Sequence, residues 1–325
     1  MLKQLNKYKV NYNWVNILLM YYYNYNCNYA LNIVNQQDSL KCNSSEIGDE
    51  LTFILKNFFH LNQNNNSLSS SLSFLEWFIG FVEGDGSFIR SKGKVYLDVT
   101  QNMDDIQVLY YIQKELGFGK IILRKEDHRN VGVFYVTSKN DFMKLIHIFN
   151  GNICSNHKFN QFKLWLNVFN EQYKENIIWI DRKVKPSLRT AWLSGFIDAE
   201  GHFGGRVKYC RTSKLKKAPH LALTIGQKEF YILSIIRNIF ITSNKNISYD
   251  KSWNGWRLHI ASFKTLTLVI KYLQSHPLKS EKNKAFLRFT ELHSKILNKE
   301  HLTIKGINEI EKLMTLINNN NENSS

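Results

Sequence analysis

Phe74-Leu-Glu-Trp-Phe-Ile-Gly-Phe-Val-Glu-Gly-Asp-Gly-Ser-Phe88 is answered later in the same chain by Thr190-Ala-Trp-Leu-Ser-Gly-Phe-Ile-Asp-Ala-Glu-Gly-His-Phe203. Laid together without a gap, Trp77 falls on Trp192, Gly80 on Gly195, Phe81 on Phe196, Glu83 on Asp198, Asp85 on Glu200, Gly86 on Gly201 and Phe88 on Phe203. Each copy reads as an apolar helix. Ser73 with Glu76 three residues on has the form of a capping box, and Pro186-Ser187 precedes the second run. Each helix ends at an acid followed by glycine, a stop and turn signal. Small residues recur four apart, Gly80 and Gly84, then Gly195 and Ala199, and so share a helix face. Such a face lets two backbones approach closely, so the two helices are expected to pack on each other. Asp85 and Glu200 would then emerge side by side.

Two adjacent carboxylates repel unless a cation lies between them. Mg²⁺ suits that place, because it is held by a few carboxylates together with waters and substrate phosphates. Either each motif is a buried helix with an ordinary glycine turn, or the pair shares metal with a phosphodiester. Two copies matching at all the positions named above favour the second.

Ile79-Gly-Phe-Val-Glu-Gly-Asp-Gly86 and Leu193-Ser-Gly-Phe-Ile-Asp-Ala-Glu-Gly201 resemble the two signature motifs of single-chain LAGLIDADG homing endonucleases and intron maturases of the organellar group I intron type. The second copy departs from the name-giving pattern at Ser194, Phe196 and Glu200. The resemblance covers roughly residues 73 to 300.

Downstream of each motif the same order recurs. Alternating residues 87–92 and 94–101 around Gly93 read as a hairpin, 104–116 as a helix, 120–125 and 131–137 as a second hairpin around His128-Arg-Asn130, and 141–149 and 159–170 as helices. In the second half the strands are 202–208, 220–227, 246–250 and 256–261, and the helices 229–240, 264–274 and 283–297. Val99-Thr-Gln101 answers Ile225-Gly-Gln227, and Lys158-x-x-x-Phe162 answers Lys282-x-x-x-Phe286. The expected class is α+β, two αββαββα halves with the motif helices at the centre. The resemblance further implies that the sheets form a saddle over DNA.

Five segments are expected: an Asn-rich, largely disordered extension and linker (1–73), a first half (74–170), a linker (171–187), a second half (188–300) and a C-terminal tail (301–325) whose last residues, 318–325, are disordered. Residues 1–73 hold fifteen Asn, and their apolar run Trp14 to Tyr23 is too short to span a bilayer. No Arg precedes Arg90, so the N-terminal segment does not read as an Arg-rich transit peptide. Asn, Lys, Ile and Tyr richness with three Pro fits A/T-rich coding, and hence a mitochondrial gene. Four cysteines without zinc spacing fit a reducing compartment.

The net charge is +16 and the pI near 9.5, which points to a polyanionic partner, nucleic acid or an anionic membrane surface. Residues 1–73 hold five Lys against four acids, so of the +16 only +1 lies there and +15 travels with the repeats. That charge lies in alternating strands rather than on one amphipathic helix, which argues against a membrane-surface role. Candidate DNA contacts are Arg90, Lys92, Lys120, Arg124, Arg206, Lys208, Arg257 and His259 on the strands, with Arg211 and Lys214 in the basic loop. Any one of them could equally serve solubility.

In proteins similar to this one the acid before the motif glycine binds metal, which carries over to Asp85 and Glu200. The carbonyls of Gly84 and Ala199 are further ligands that the resemblance implies. Glu83 and Asp198 read as structural acids at the helix ends. Lys158 and Lys282 either stabilise phosphate charge near the metals or are solvated helix-start lysines. Gln101 and Gln227 either orient water or are strand-end polar residues. An acid in each half argues for one cut per strand. Two functions follow: a Mg²⁺-dependent, site-specific double-strand DNA endonuclease acting as a monomer, or a maturase that binds its host intron RNA and assists splicing.

Overall fold

The computed structural model describes residues 71–126, 129–240 and 246–322, all within one compact unit, Ile47–Ser325. The extension expected before residue 71, the hairpin tip at His128 and the last three residues lie outside the described residues.

Both halves repeat one plan. The first runs α1 (Leu72–Asp85), β1 (Gly86–Ser91), β2 (Lys94–Asn102), a 3-10 turn (Met103–Asp105), α2 (Ile106–Leu116), β3 (Lys120–Glu126), β4 (Arg129–Val136), α3 (Lys139–Phe149) and α4 (Asn156–Tyr173). The second runs α5 (Trp192–Glu200), β5 (Gly201–Tyr209), β6 (Lys217–Gln227), α6 (Phe230–Ile239), β7 (Ile247–Asp250), β8 (Gly255–Ile260), α7 (Phe263–Ser275) and α8 (Lys282–Leu297). Each half forms a four-stranded antiparallel sheet, in the orders β1-β2-β4-β3 and β5-β6-β8-β7. The expected α+β class with paired αββαββα halves is what is found.

Alternation sets one face of each sheet against helices. Phe88, Val95, Leu97 and Val99 are buried, as are Phe203, Leu223 and Ile225. The duplicated Phe88 and Phe203 take matching places: Phe88 packs on Phe149 and Phe162 at 5.1 and 4.9 Å, and Phe203 on Phe286 and Phe289 at 5.5 and 5.2 Å.

At the centre, α1 lies against α5. A methyl group added at Gly80 would sit 1.9 Å from the Trp192 carbonyl oxygen, and one added at Gly195 would sit 1.9 Å from that of Trp77. The contact is reciprocal and backbone to backbone, so neither side can yield. Gly80→Ala or Gly195→Ala is therefore expected to force the helices apart at a cost of about 3 kcal/mol, the upper range for overpacking. A denaturant melt unchanged by either substitution would contradict this packing.

Three expectations need correction. The cap of α1 is Ser71, whose hydroxyl accepts from the Phe74 N–H at 3.2 Å, and not Ser73. Glu76 is turned inward, where its carboxylate accepts from the Ala191 N–H at 2.9 Å, so it serves the second half's helix. That helix begins at Trp192, well after Pro186, and takes its cap from Glu76 across the seam. Residues 301–325, expected as a tail, instead carry α9 (Ile304–Glu322), helical through most of the stretch expected to be disordered. Ile307, Ile310, Met314 and Ile317 recur at helical spacing and are buried, and Glu311 pairs with Lys217 at 2.7 Å. Among the described residues, no helix is long and apolar enough to cross a membrane.

Candidate active site

The seam delivers the two acids to one place. A methyl group added at Gly84 would lie 2.3 Å from the Ala199 Cβ and 3.6 Å from Glu200 Oε1, so the helices are still in contact where they end. Asp85 and Glu200 leave the two helices at that point, one at each C-terminus. Burial pushes both carboxyls above the ordinary range, and for Glu200 the neighbouring Asp85 charge adds to it, to a pKa of about 7.

Each acid is held by a glutamine from the second strand of its half. Gln101 Nε2 donates to Asp85 Oδ2 at 2.6 Å, and Gln227 Nε2 donates to Glu200 Oε1 at 2.9 Å. Gln227 Oε1 also accepts from the Lys228 N–H at 2.8 Å. Both amides thus orient the carboxylates directly, and the Gln227 amide is engaged at both ends.

Lys158 and Lys282, at the starts of α4 and α8, converge on the same place. The Lys158 Nζ donates to the Gly86 carbonyl, and the Lys282 Nζ donates to those of Ala199 at 3.0 Å and Ile197 at 3.4 Å. Burial lowers the pKa of each, and the surrounding carboxylates raise it again. Neither is a solvated helix-start lysine: Lys158 is 8% exposed and Lys282 half-buried.

Glu83 and Asp198 stand two residues before Asp85 and Glu200 and point elsewhere. Glu83 accepts from the Cys154 and Ser155 N–H groups and from Trp192 Nε1 at 2.7 Å. Asp198 accepts from the Lys279 and Ser280 N–H groups and from Trp77 Nε1 at 2.9 Å. Each is buried and fixes a loop of its own half and an indole of the other, as structural acids should.

A divalent cation fits this donor set. Among the described residues no three His, Cys, Asp or Glu side chains gather as a ligand cluster. Two carboxylates alone leave most of an octahedral shell to water and phosphate oxygens, the habit of Mg²⁺ rather than of zinc. Burial and then the neighbouring Asp85 charge raise the pKa of Glu200 despite the opposing charges of Lys282 and Lys158. The Ala199 carbonyl already accepts from Lys282, so it could serve a metal only through its second lone pair.

The pH consequence has a definite sign. The folded pKa of Glu200, about 7, lies above its ordinary 4.5, so between those values the folded metal-free protein holds a proton that the unfolded chain has lost. The stability this contributes is full below pH 4.5 and gone as pH rises through about 7. A divalent cation needs the ionised pair and must displace that proton. Stabilisation by added Mg²⁺ or Ca²⁺ is therefore expected to be small at pH 5 and large at pH 8. Thermal melts with and without metal check it, and equal increments at both pH values would count against it.

The sheet faces turned away from the helices carry most of the predicted basic residues. Arg206 pairs in register with His220, Lys208 with Ala218, Thr224 with His259 and Gly226 with Arg257, all on the outer face. Lys120 and Arg124 are exposed on the outer face of the first sheet. Arg211 and Lys214 are exposed in the turn between β5 and β6. Two expectations fail. Arg90 pairs with buried Val95, so it lies on the helix side and is exposed only because it stands past the packed core. Lys92 sits in the hairpin turn with φ 50°. Sequence reading missed His202 and His220, although His202-Phe-Gly-Gly-Arg-Val-Lys208 alternates in the right phase. The rings of His220 and His259 stack 5.8 Å apart, and burial, then Lys208, holds both below the usual imidazole range. Arg257 is tied to Asp250 at 3.0 Å.

A LAGLIDADG endonuclease family profile matches residues 78–169 and 193–293. A probable intron-encoded endonuclease 4 of Neurospora crassa is 40% identical over 77% of this chain and 45% of its own length. The intron-encoded RNA maturase bI4 of Saccharomyces cerevisiae is 27% identical over 87% of this chain and 47% of its own. The chain spans about half the length of these two curated relatives. The crystal structure of the meganuclease I-SmaMI bound to uncleavable DNA matches in fold, with a TM-score of 0.63 at 16% identity, over 75% of this chain and 98% of that one.

Proposed function

The chain belongs to the LAGLIDADG endonuclease family, and on that footing we propose that it is a site-specific, divalent-metal-dependent endonuclease that hydrolyses one phosphodiester in each strand of a DNA duplex. The observation that carries this reading is the meeting of Asp85 and Glu200 at the end of the α1–α5 seam, with one lysine from each half beside them. Mg²⁺ bound there would supply an activated water and neutralise charge on the phosphate. Gln101 and Gln227 hold the two carboxylates in fixed orientation. The ammonium groups of Lys158 and Lys282 stand where negative charge grows on the phosphate oxygens.

The outer sheet faces are the DNA surface in this reading. Lys120, Arg124, Arg206 and Lys208 neutralise phosphates and give strong salt dependence, while Arg257 and the histidines reach base edges. Arg206→Ala and Lys208→Ala are each expected to weaken binding and to reduce the slope of log K against log salt by roughly 0.9. A binding series in increasing salt checks it. One chain supplies both acids, so a monomer suffices. A/T-rich coding and relatives named for introns support a mitochondrial intron as the source.

The resemblance to a maturase favours a second reading, in which the protein binds its host intron RNA and assists splicing. Incubation with Mg²⁺ and a duplex spanning the intron insertion point separates the two. Cutting of both strands supports the endonuclease. No cutting under any condition, together with tight binding of intron RNA, overturns it.

A further inference from the structure

Neither lysine-bearing helix is capped by the side chain of its own cap residue, Ser155 for α4 and Glu281 for α8. A helix start leaves backbone N–H groups in need of acceptors. At α4 the acceptor comes from the opposite half, whereas at α8 Ser280 Oγ accepts from the Lys282 N–H at 3.2 Å and the opposite half supplies a further acceptor at the cap residue Glu281. Glu229, at the start of α6 in the second half, turns its carboxylate onto α4 of the first. Its Oε1 accepts from the Asn156 N–H at 3.0 Å and from Asn156 Nδ2, and its Oε2 accepts from the His157 N–H at 3.1 Å. Asp105, just ahead of α2 in the first half, does the converse. Its Oδ1 accepts from the Glu281 N–H at 2.8 Å, one residue before Lys282.

We propose that Asp105 and Glu229 are positioning residues, each fixing the lysine-bearing helix of the opposite half, so that the ammonium of each half is aligned by the acid of the other. The inference rests on the endonuclease reading for its chemistry, though not for its geometry. Lys158 stands in the first turn of α4, and Lys282 is the first residue of α8. A first turn that loses its acceptors frays, and the lysine would lose its register with it. Glu83 and Asp198 hold the same two helix starts from within their own halves, through Ser155 and Ser280. Each start is therefore tied twice, once in its own half and once across the molecule. Separation of the halves would break the crossed tie at both lysines together. Lys158 is bound to the Gly86 carbonyl beside Asp85, and Lys282 to the Ala199 carbonyl beside Glu200. Each lysine thus holds a carbonyl beside one acid of the pair, and on that placement each is assigned to a different strand cut.

Glu229→Ala and Asp105→Ala in the full chain test this with two readouts. Amide hydrogen exchange at Asn156 and His157 should quicken about tenfold in Glu229→Ala while Glu281 stays protected, with the reverse pattern in Asp105→Ala. Strand-resolved single-turnover cleavage in Mg²⁺ should show one strand slowed about tenfold in Glu229→Ala and the other strand in Asp105→Ala, with duplex affinity within twofold of wild type. Glu229→Gln, which keeps one acceptor oxygen, should recover part of both signals. Unchanged exchange at these amides overturns the inference, as does equal slowing of both strands by both variants. If the alanine variants melt, Glu229→Gln and Asp105→Asn are read in the same way. If wild type cuts no DNA, the endonuclease reading fails, and the exchange arm still decides whether the crossed ties exist.

Discussion

Asp85→Asn and Glu200→Gln are each expected to slow phosphodiester hydrolysis by at least about 10³-fold, while duplex binding survives. Each change keeps the shape and the glutamine contact of the side chain and removes one negative charge from the acid pair. A metal at such a site stabilises charge by several kcal/mol, and about 4 kcal/mol corresponds to 10³ in rate. Binding survives because the basic residues lie on the sheet faces and not at the seam. Without metal the variants should melt no lower than wild type at pH 8, since the Asp85–Glu200 repulsion that helps to raise the Glu200 pKa to about 7 is relieved. Single-turnover cleavage, filter binding and thermal melts measure the three quantities. A variant that cut within tenfold of wild type would remove Asp85 or Glu200 from the chemistry.

Glu83→Ala is expected to be strongly destabilising. Its carboxylate accepts from Cys154 N–H at 2.9 Å, Ser155 N–H at 2.6 Å and Trp192 Nε1 at 2.7 Å, all buried. Truncation leaves three donors without an acceptor, at roughly 1–3 kcal/mol each, and opens a void between the halves. Breaking a buried charged group from its partners costs about 3–5 kcal/mol, enough to unfold many proteins of ordinary stability. Glu83→Gln, which keeps one acceptor oxygen, should lose markedly less. Chemical denaturation compares the two. Equal, small losses in both would mean that the hydrogen bonds across the seam contribute little to holding the halves together.

Why was the seam legible in the sequence and its ties not? Gly80, Gly84, Gly195 and Ala199 advertise close approach through their spacing alone, and the acids at the helix ends follow from counting forward. The partners of Glu83 stand 71 to 109 residues away, so nothing local marks them. Asp105 and Glu229 do not superpose in the repeat: one lies four residues after Gln101, the other two after Gln227. They share a place in space rather than a place in the alignment. The sequence misleads on the face of Arg90 because Phe88 and Ile89 are both apolar and leave the phase of β1 ambiguous; the register with Val95 decides it. The cap of α1 is not decided by sequence because Ser71 and Ser73 both precede the run, and Glu76 bonds across the seam instead of backward. In α9 the helical spacing of Ile307, Ile310, Met314 and Ile317 was present, but the Asn-rich end of the chain drew it toward a tail.

Divalent-ion binding to the DNA-bound protein, followed by Mn²⁺ titration under electron paramagnetic resonance, tests most directly whether one cation site is shared by the acids of both halves. Wild type is predicted to immobilise Mn²⁺ at pH 8 and much less at pH 5, and either Asp85→Asn or Glu200→Gln alone should weaken that binding. Undiminished Mn²⁺ binding in a protein carrying both substitutions would contradict the account.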